Sequence, residues 1–321
     1  MRLQDKNLHA LHALHLLATA AGAILLSTLA LAQRTPNPHL NPLIDLLAAH
    51  KAAFGLTAPV SPRNGTARTA TDLAKETVTR NTSDFLFSSA VDGDVDRQLA
   101  TFAGFLSALR DAAPQARHPV IVKTPPMASD RAKAIDLISR HLNLGVSGIV
   151  LAGVESADDV RAGLAAMRFK ANGGLRPDTI GTAARFWGVT DAEYRRKADV
   201  WPLNPAGELV VWVSVDTRQA LAHVREIAAV KGIGVLSPGA SELRSAFTTT
   251  VNGQRTFDAD AWASAVESVL AACQEFHVPC GYQATAADIS LRMQQGFSVF
   301  LMNWTDLGFQ AVDIGLRLAG R

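Results

Sequence analysis

Charge is scarce in this sequence, and its distribution excludes several kinds of partner. Charged residues make up 19% of the 321 residues and hydrophobic residues 48%, which indicates a buried globular core rather than disorder. The formal net charge is only +2, and the basic residues are scattered without an aromatic-interleaved stripe. Nucleic acid or another polyanion is therefore not expected as a partner.

Several motifs with known chemistry are also missing. Neither glycine-rich segment, 172–174 or 238–241, has the spacing of a phosphate-binding loop, and no serine-centred nucleophile elbow is present. The predicted strand ends carry no His/Cys cluster, which argues against a structural zinc site. The chain has only two cysteines, Cys273 and Cys280, and either a disulfide or two buried thiols would suit them.

The longest apolar run lies near the start of the sequence, from Leu16 to Leu31. Arg2 and Lys6 precede it, and it ends in the small-x-small triplet 30–32. This layout is typical of a cleavable secretory signal. A membrane anchor is the alternative, but the run is interrupted and shorter than the ~20 residues of a spanning helix. We expect cleavage of residues 1–32, a secreted or periplasmic protein without a stable membrane span, and a single domain over residues 33–321.

Short apolar runs alternate with helical patterns through the rest of the chain. Eight runs are predicted to be strands: 52–56, 84–89, 119–123, 148–153, 209–216, 232–238, 280–284 and 298–304. Eight strand–helix repeats over about 280 residues match the length and count of a TIM (β/α)8 barrel. An open, doubly wound sheet is the alternative, because it has the same alternation.

One segment, 170–207, is too long for an ordinary strand–helix connection. Its aromatic and arginine side chains suit a cover over an active site or a contact between subunits. A surface excursion that packs on its own helix is the other interpretation.

Polar residues that end the predicted strands are the candidates for chemistry, because reactive groups of a barrel gather there. Asp92, Lys123, Asp216 and Glu242 have such positions. Asp216 and Glu242 lie 26 positions apart, each just past a β-branched run, so a strand–helix–strand unit would bring both carboxylates to one rim. A structural ion pair of Asp216 with Lys123 or Arg218 is the alternative.

Two converging carboxylates repel each other unless a proton or a cation lies between them. Oxygen ligands favour Mg²⁺ or Mn²⁺, with Co²⁺ also acceptable, and an ion held by two side chains has positions left for a 2-keto acid. The small residues Gly239, Ala240 and Ser241 would allow backbone N–H groups to approach the carboxylate of that ligand. Lys123 would supply positive charge to a developing enolate, or would form a Schiff base.

The strand-end segments resemble the HpcH/HpaI aldolases, the metal-dependent class II pyruvate aldolases. The most specific likeness is VSVDTRQALAHVREIAAVKGIGVLSPGASEL (213–243), similar to the family segment that carries both metal ligands at the same separation. PVIVKTPP (119–126) and the segment 145–169 resemble the family's third and fourth strands, and the likeness begins at residue 41. The resemblance implies a metal-dependent TIM barrel, a 2-keto acid and an aldehyde as substrates, and a homo-oligomer, either trimer or hexamer.

The sequence departs from the family pattern at identifiable positions. The order of the metal ligands is inverted, with Asp216 first and Glu242 second, and Lys123 replaces the usual arginine. Ser214, which we expect to contact the substrate, stands where the family has a glutamine, and Asp92 replaces the histidine implicated in proton transfer. The pattern predicts a lyase that acts through a pyruvate-type enolate; a non-catalytic barrel that binds a small organic acid or serves in an assembly is the alternative.

The N-terminal pattern predicts that the exported protein begins at Gln33. Intact-mass measurement of protein recovered after export should give the mass of residues 33–321. Recovery of a membrane-extracted chain that retains residues 1–32 would contradict this prediction and favour the anchor.

Overall fold

A parallel β-sheet with helices outside it organises the protein in this computed structural model, which describes residues 39–60, 68–89, 95–114, 118–252 and 254–321. The strands are β1 (Ala53–Thr57), β2 (Phe85–Ser88), β3 (Val120–Lys123), β4 (Gly148–Leu151), β5 (Val200–Trp201), β6 (Leu209–Val215), β7 (Val235–Pro238), β8 (Thr248–Val251), β9 (Gln254–Phe257), β10 (Gly281–Gln283) and β11 (Val299–Met302). The signal predicted over residues 1–32 lies outside the described residues.

Helices lie between most of the strands of the parallel sheet. They are α1 (Pro42–Ala48), α2 (Ala70–Arg80), α3 (Val95–Ala112), α4 (Arg131–Leu142), α5 (Ala157–Met167), α6 (Ala183–Trp187), α7 (Asp191–Lys197), α8 (Arg218–Ala222), α9 (Val224–Ala228), α10 (Glu242–Ser245), α11 (Ala259–Glu275), α12 (Ile289–Gln295) and α13 (Asp306–Leu318). Side-chain caps define several starts: Asp130, Ser156 and Asp258 each accept a backbone N–H three residues on. Such a cap typically stabilises a helix by about 1 kcal/mol.

Each of the eight predicted segments contains a strand, and the strands pair in parallel in chain order. The order is β10–β11–β1–β2–β3–β4–β6–β7, with β5 added beside the start of β6. This order lacks the reversal that characterises a doubly wound sheet. A bridge between Leu236 and Cys280 also relates β7 to the start of β10, with the Leu236 N–H donating to Pro279 O (3.0 Å). The parallel sheet therefore has at least the curvature of a half-barrel.

Two separate apolar clusters cover the two faces of the sheet, because successive side chains of a strand point to opposite faces. The inner cluster contains Ala53, Phe85, Ile121, Val150, Val210, Trp212, Val235 and Val299. Leu43, Ile44 and Leu47 of α1 belong to the same cluster. Their alternate neighbours on the strands, such as Phe54 and Val211, pack in the outer cluster with the helices. The helices thus bury one face of the sheet, and the opposite face carries the inner cluster.

The 170–207 segment packs near the amino ends of the strands and not over the opposite rim, so a cover over the carboxyl ends was a wrong expectation. Trp187 Nε1 donates to Gly145 O (2.7 Å), just before β4, and Tyr194 Oη donates to Leu142 O (2.9 Å) at the end of α4. Fully buried Arg176 donates to Tyr194 Oη (3.0 Å) and lies over the Phe169 ring. Tyr194 belongs to the outer cluster between the sheet and the helices, and Phe186 and Trp187 pack against that cluster.

Within the described residues, a disulfide decides one alternative that the sequence left open, and a hairpin adds two strands to those predicted. Cys273 on α11 and Cys280 before β10 form a disulfide, with a Cα–Cα distance of 5.6 Å. The antiparallel hairpin of β8 and β9 was not predicted. None of the described helices combines the length and apolar character needed to cross a membrane.

His141 is a buried core residue of α4 and not a cationic helix cap. Its Nδ1 donates to Leu137 O (2.8 Å) and its ring packs edge-on against Phe102. Burial lowers the pKa of His141 to about 4, so the imidazole is neutral at pH 7. A histidine of an unfolded chain titrates near 6.5, so the unfolded state binds the extra proton first as pH falls.

We therefore expect His141 to contribute to acid instability. Stability should be full above about pH 6.5 and fall as pH decreases toward 4, by up to roughly 3 kcal/mol from this residue. His141→Gln, which keeps a donor for Leu137 O, should flatten the pH dependence of urea unfolding in that window. Exposed His277→Asn is the control. An unchanged slope in H141Q would show that other groups cause the acid instability.

Candidate functional site

Polar side chains at the carboxyl ends of the parallel strands line one cleft of about 720 Å³. The strand alternation puts them there. In β6, Val210 and Trp212 belong to the inner cluster, and Ser214 and Asp216 continue the same register. The inward polar residues at this level are Thr57, Ser89, Lys123, Ser214, Asp216, Ser237, Gln283 and Asn303. We call this space the carboxyl-end cleft.

Asp216 follows strand β6 and is buried, with a hydrogen-bond donor on each carboxylate oxygen. Ser214 Oγ donates to Oδ1 (2.6 Å), and the Gly153 N–H donates to Oδ2 (2.8 Å). Burial raises the pKa of Asp216 above its usual value, while the Lys123 charge and these two hydrogen bonds oppose the rise. Gly153 has a φ of +52°, a conformation that favours glycine. Ser214 was predicted to contact substrate. It lines the cleft, and its hydroxyl donates a hydrogen bond to Asp216.

Glu242 begins helix α10 in the segment after β7, and its side chain is about half exposed. Lys123 Nζ donates to Oε1 (2.6 Å), and Ser241 Oγ donates to Oε2 (2.6 Å). Partial burial alone would raise the pKa of Glu242, but the hydrogen bonds from Lys123 and Ser241 and the Lys123 charge lower it to about 2. Glu242 is therefore an anion throughout the physiological range.

Lys123, the last residue of β3, provides the charge that both carboxylates share. Its Nζ lies 2.6 Å from Glu242 Oε1 and 3.8 Å from Asp216 Oδ2, and its side chain is only 17% exposed. The structure therefore brings Asp216, Glu242 and Lys123 together around one point. Arg218, the other predicted partner of Asp216, instead donates to Ala246 O (2.8 Å) and stacks on Phe247.

The donor set at this point suits a hard cation better than zinc. In the part of the chain that the structure describes, no group of three or more His, Cys, Asp or Glu side chains gathers to hold a metal. The two carboxylates nevertheless converge on one cationic group, the Lys123 ammonium. Two carboxylates with open positions for water and substrate fit the coordination of Mg²⁺ or Mn²⁺.

The turn 239–241 supports the carboxylates more than it offers free donors. The Gly239 N–H donates to Val215 O (2.8 Å) and is therefore engaged within the protein. A Cβ at Gly239 would overlap Asp216 Oδ1, which means that glycine is required for the carboxylate to lie there. Ala240 and Ser241 do line the cleft, as expected, and the Ser241 hydroxyl binds Glu242.

Several residues of the cleft were missed by sequence reasoning. Trp212 Nε1 donates to Ser237 Oγ (2.7 Å), and both side chains line the cleft from adjacent strands. Thr124 Oγ1 donates to Val150 O (3.2 Å) and accepts the Ala152 N–H (3.2 Å), which ties β3 to the end of β4. The alternation of each strand was the available signal for Trp212 and Ser237. Asp92, predicted to act in proton transfer, lies outside the described residues.

The close approach of Gly239 to Asp216 predicts that Gly239→Ala will displace the carboxylate and destabilise the protein by about 1 to 3 kcal/mol, as overpacking does. Gly104→Ala is the control, because a Cβ there would lie 3.8 Å from Ala70 Cβ on the exposed side of α3 and should be neutral or stabilising. Urea unfolding of both variants measures the effect. Equal stability of G239A and wild type would contradict the packing argument.

Comparisons with known proteins agree with this architecture. The sequence profile of the HpcH/HpaI aldolase/citrate lyase family matches residues 101–309. A pyruvate aldolase of Rhizobium etli is 28% identical over 111 residues, which is 35% of this chain and 40% of that protein. A hydroxypyruvate/pyruvate aldolase of Sagittula stellata is 28% identical over 44% of this chain and 50% of its own length. A hydroxypyruvate/pyruvate aldolase of Delftia acidovorans is 28% identical over 63% of this chain and 68% of its length.

The matched region thus spans half or less of the first two relatives, so their activities are not transferred by identity alone. Solved structures extend the likeness of the fold. An HpcH/HpaI aldolase/citrate lyase family protein from Burkholderia cenocepacia aligns over 88% of this chain and 100% of its own, at 20% identity and a TM-score of 0.64. An HpcH/HpaI aldolase from Desulfitobacterium hafniense aligns over 86% and 95%, at 17% identity and a TM-score of 0.61. With a profile match over more than half of its length and the same fold, the chain belongs to the HpcH/HpaI aldolase/citrate lyase family.

Proposed function

We propose that this member of a lyase family is a divalent-metal-dependent aldolase. Its substrate would be a 2-keto acid or hydroxy-keto acid, and the carbon–carbon bond made or broken would join a pyruvate-type enolate to an aldehyde. One observation carries the proposal. The carboxylates of Asp216 and Glu242, from consecutive strand–helix units, both face the Lys123 ammonium in the carboxyl-end cleft. The names of the three aldolase relatives support pyruvate or hydroxypyruvate as the enolate precursor.

Asp216 and Glu242 would hold the ion, Mg²⁺ or Mn²⁺ with Co²⁺ as a third possibility. When bound, such an ion supplies Lewis-acid polarisation of the keto oxygen. Ser214 and Gly153 orient Asp216, and Ser241 orients Glu242, so both carboxylates are fixed before a ligand arrives. Fixed ligands of this kind do not need to reorganise during the reaction.

Lys123 would stabilise negative charge on the enolate and on the substrate carboxylate. Its ammonium already lies in the cleft, beside both carboxylates, and its flexible stem allows Nζ to move toward a ligand. The same ion pairs engage Nζ with both carboxylates, which disfavours attack of this amine on a carbonyl and hence the Schiff-base role. Asp92 remains a proposed proton-transfer residue on the strength of its position in the sequence.

Three wider properties belong to the same proposal. We propose that the sheet closes into a (β/α)8 barrel, which the bridge between Leu236 and Cys280 supports. A homo-oligomer, trimer or hexamer, is proposed from the family resemblance. Export to the periplasm or out of the cell is proposed from the N-terminal pattern of residues 1–32.

The metal site is tested by Asp216→Asn and Glu242→Gln, which preserve side-chain volume. Each variant should bind Mn²⁺ at least about 100-fold more weakly, because one of two charged ligands is gone. D216N should fold normally, since burial disfavours the charged form of Asp216, and E242Q should lose a little stability with its lysine pair. Calorimetric titration with Mn²⁺ and thermal melts measure both effects.

Asp158→Asn and Glu275→Gln are the matched controls, because these carboxylates pair with Arg161 and Arg225 outside the cleft. Function is tested by metal-dependent exchange of the pyruvate methyl protons in D₂O, a half-reaction that needs no knowledge of the aldehyde. Exchange by wild type that is lost in D216N and E242Q supports the lyase. Pyruvate binding without exchange favours the non-catalytic binder, and unchanged Mn²⁺ binding in the variants contradicts the metal site.

A further inference from the structure

The two proposed metal ligands already have a donor on every carboxylate oxygen. Asp216 Oδ1 accepts a hydrogen bond from Ser214 Oγ, and Asp216 Oδ2 accepts one from the Gly153 N–H. Glu242 Oε2 accepts one from Ser241 Oγ. Lys123 Nζ takes Glu242 Oε1 and also lies within ion-pair distance of Asp216 Oδ2. Lys123 is the one member of this set that is both charged and flexible.

Asp216 and Glu242 would together hold a divalent ion, and the space between them is where Lys123 Nζ now pairs with both carboxylates. Two cations cannot share that space, because a unit charge and a divalent ion about 4 Å apart repel strongly even at the effective dielectric of a protein surface. The serine hydroxyls and the Gly153 N–H are neutral and can remain at the outer side of the carboxylates. Entry of the ion therefore requires that Nζ leave Glu242, and the four-carbon stem of lysine permits this movement.

We propose that Lys123 is a tethered competitor for the metal. In the metal-free protein its ammonium occupies the cation position between Asp216 and Glu242, and metal binding releases Nζ into the carboxyl-end cleft, where it can pair with an anionic substrate. This inference rests on the metal site of the proposed function. Binding of the metal would then be coupled to movement of Lys123 Nζ toward the substrate.

The arrangement couples the ion to the substrate. An anionic ligand that pairs with released Nζ favours the displaced lysine, and the displaced lysine favours the ion, so each raises the affinity of the other by the same factor. Direct chelation of the ion by a keto acid would also raise affinity, but that contribution does not need a lysine. The part of the coupling that depends on Lys123 is specific to this mechanism.

Mn²⁺ binding to metal-stripped protein tests the competition, with free Mn²⁺ followed by electron paramagnetic resonance. Lys123→Met should bind Mn²⁺ at least about tenfold more tightly than wild type, because the competing charge is removed. Lys133→Met is the matched control: Lys133 lines the same cleft but is exposed and forms no ion pair with either carboxylate, so its affinity should stay within about twofold. Lys123→Gln, which keeps an N–H donor, serves if K123M does not fold without metal.

A second measurement addresses the coupling to substrate. Pyruvate should increase Mn²⁺ affinity by a larger factor in wild type than in K123M or K123Q. If wild type binds Mn²⁺ and the Lys123 variants bind it equally or more weakly, the competitor proposal is overturned while the metal site stands. If neither wild type nor either Lys123 variant binds Mn²⁺, the metal site itself fails and the competitor proposal with it.

Discussion

A buried carboxylate at the end of strand β6 is the constraint on which the arrangement of the cleft depends. Asp216 is 6% exposed, and an anion in that position is unfavourable unless donors and a counter-charge accompany it. Each neighbouring feature answers this requirement: Ser214 and Gly153 supply the donors, Lys123 supplies the charge, and Gly239 leaves the space. Residues in or next to β3, β4, β6 and β7 thus all surround the Asp216 carboxylate.

The sequence was sufficient for the features that follow from periodicity. Short apolar runs between helical patterns predicted the eight strand segments, and the strand–helix–strand spacing predicted that Asp216 and Glu242 share a rim. Trp212 and Ser237 were missed, although strand alternation was a signal for them, and their hydrogen bond depends on the register between β6 and β7, which one strand does not encode. Cross-strand register is set by packing of the whole interior.

Features that depend on local backbone conformation were predicted less well. The small residues at 239–241 indicated room for a ligand. In the structure, the Asp216 carboxylate fills the space where a side chain at residue 239 would lie, and the Gly239 N–H donates to Val215 O. The dipeptide Asn252-Gly253 is a typical hairpin turn sequence. The hairpin of β8 and β9 was still not predicted, because it interrupts the strand–helix alternation. The aromatic content of the 170–207 segment did not distinguish a cover, a subunit contact and a surface excursion, since aromatic side chains suit the outer cluster as well as a binding surface.

Lysine at residue 123, where the family resemblance implies an arginine, gives the proposed site a flexible cation in place of a rigid one. A guanidinium is planar and rigid, and it is well suited to a fixed, forked contact with one carboxylate or carbonyl. An ammonium on a flexible stem can approach oxygens from different directions, and Lys123 does so with Glu242 at 2.6 Å and Asp216 at 3.8 Å. The carboxylates are neutralised in part without an ion, so the protein need not hold a metal to keep them together. In the proposed metal site, affinity for the ion would come at the expense of the ion pairs of the metal-free protein, and one side chain that contacts both carboxylates would set that balance.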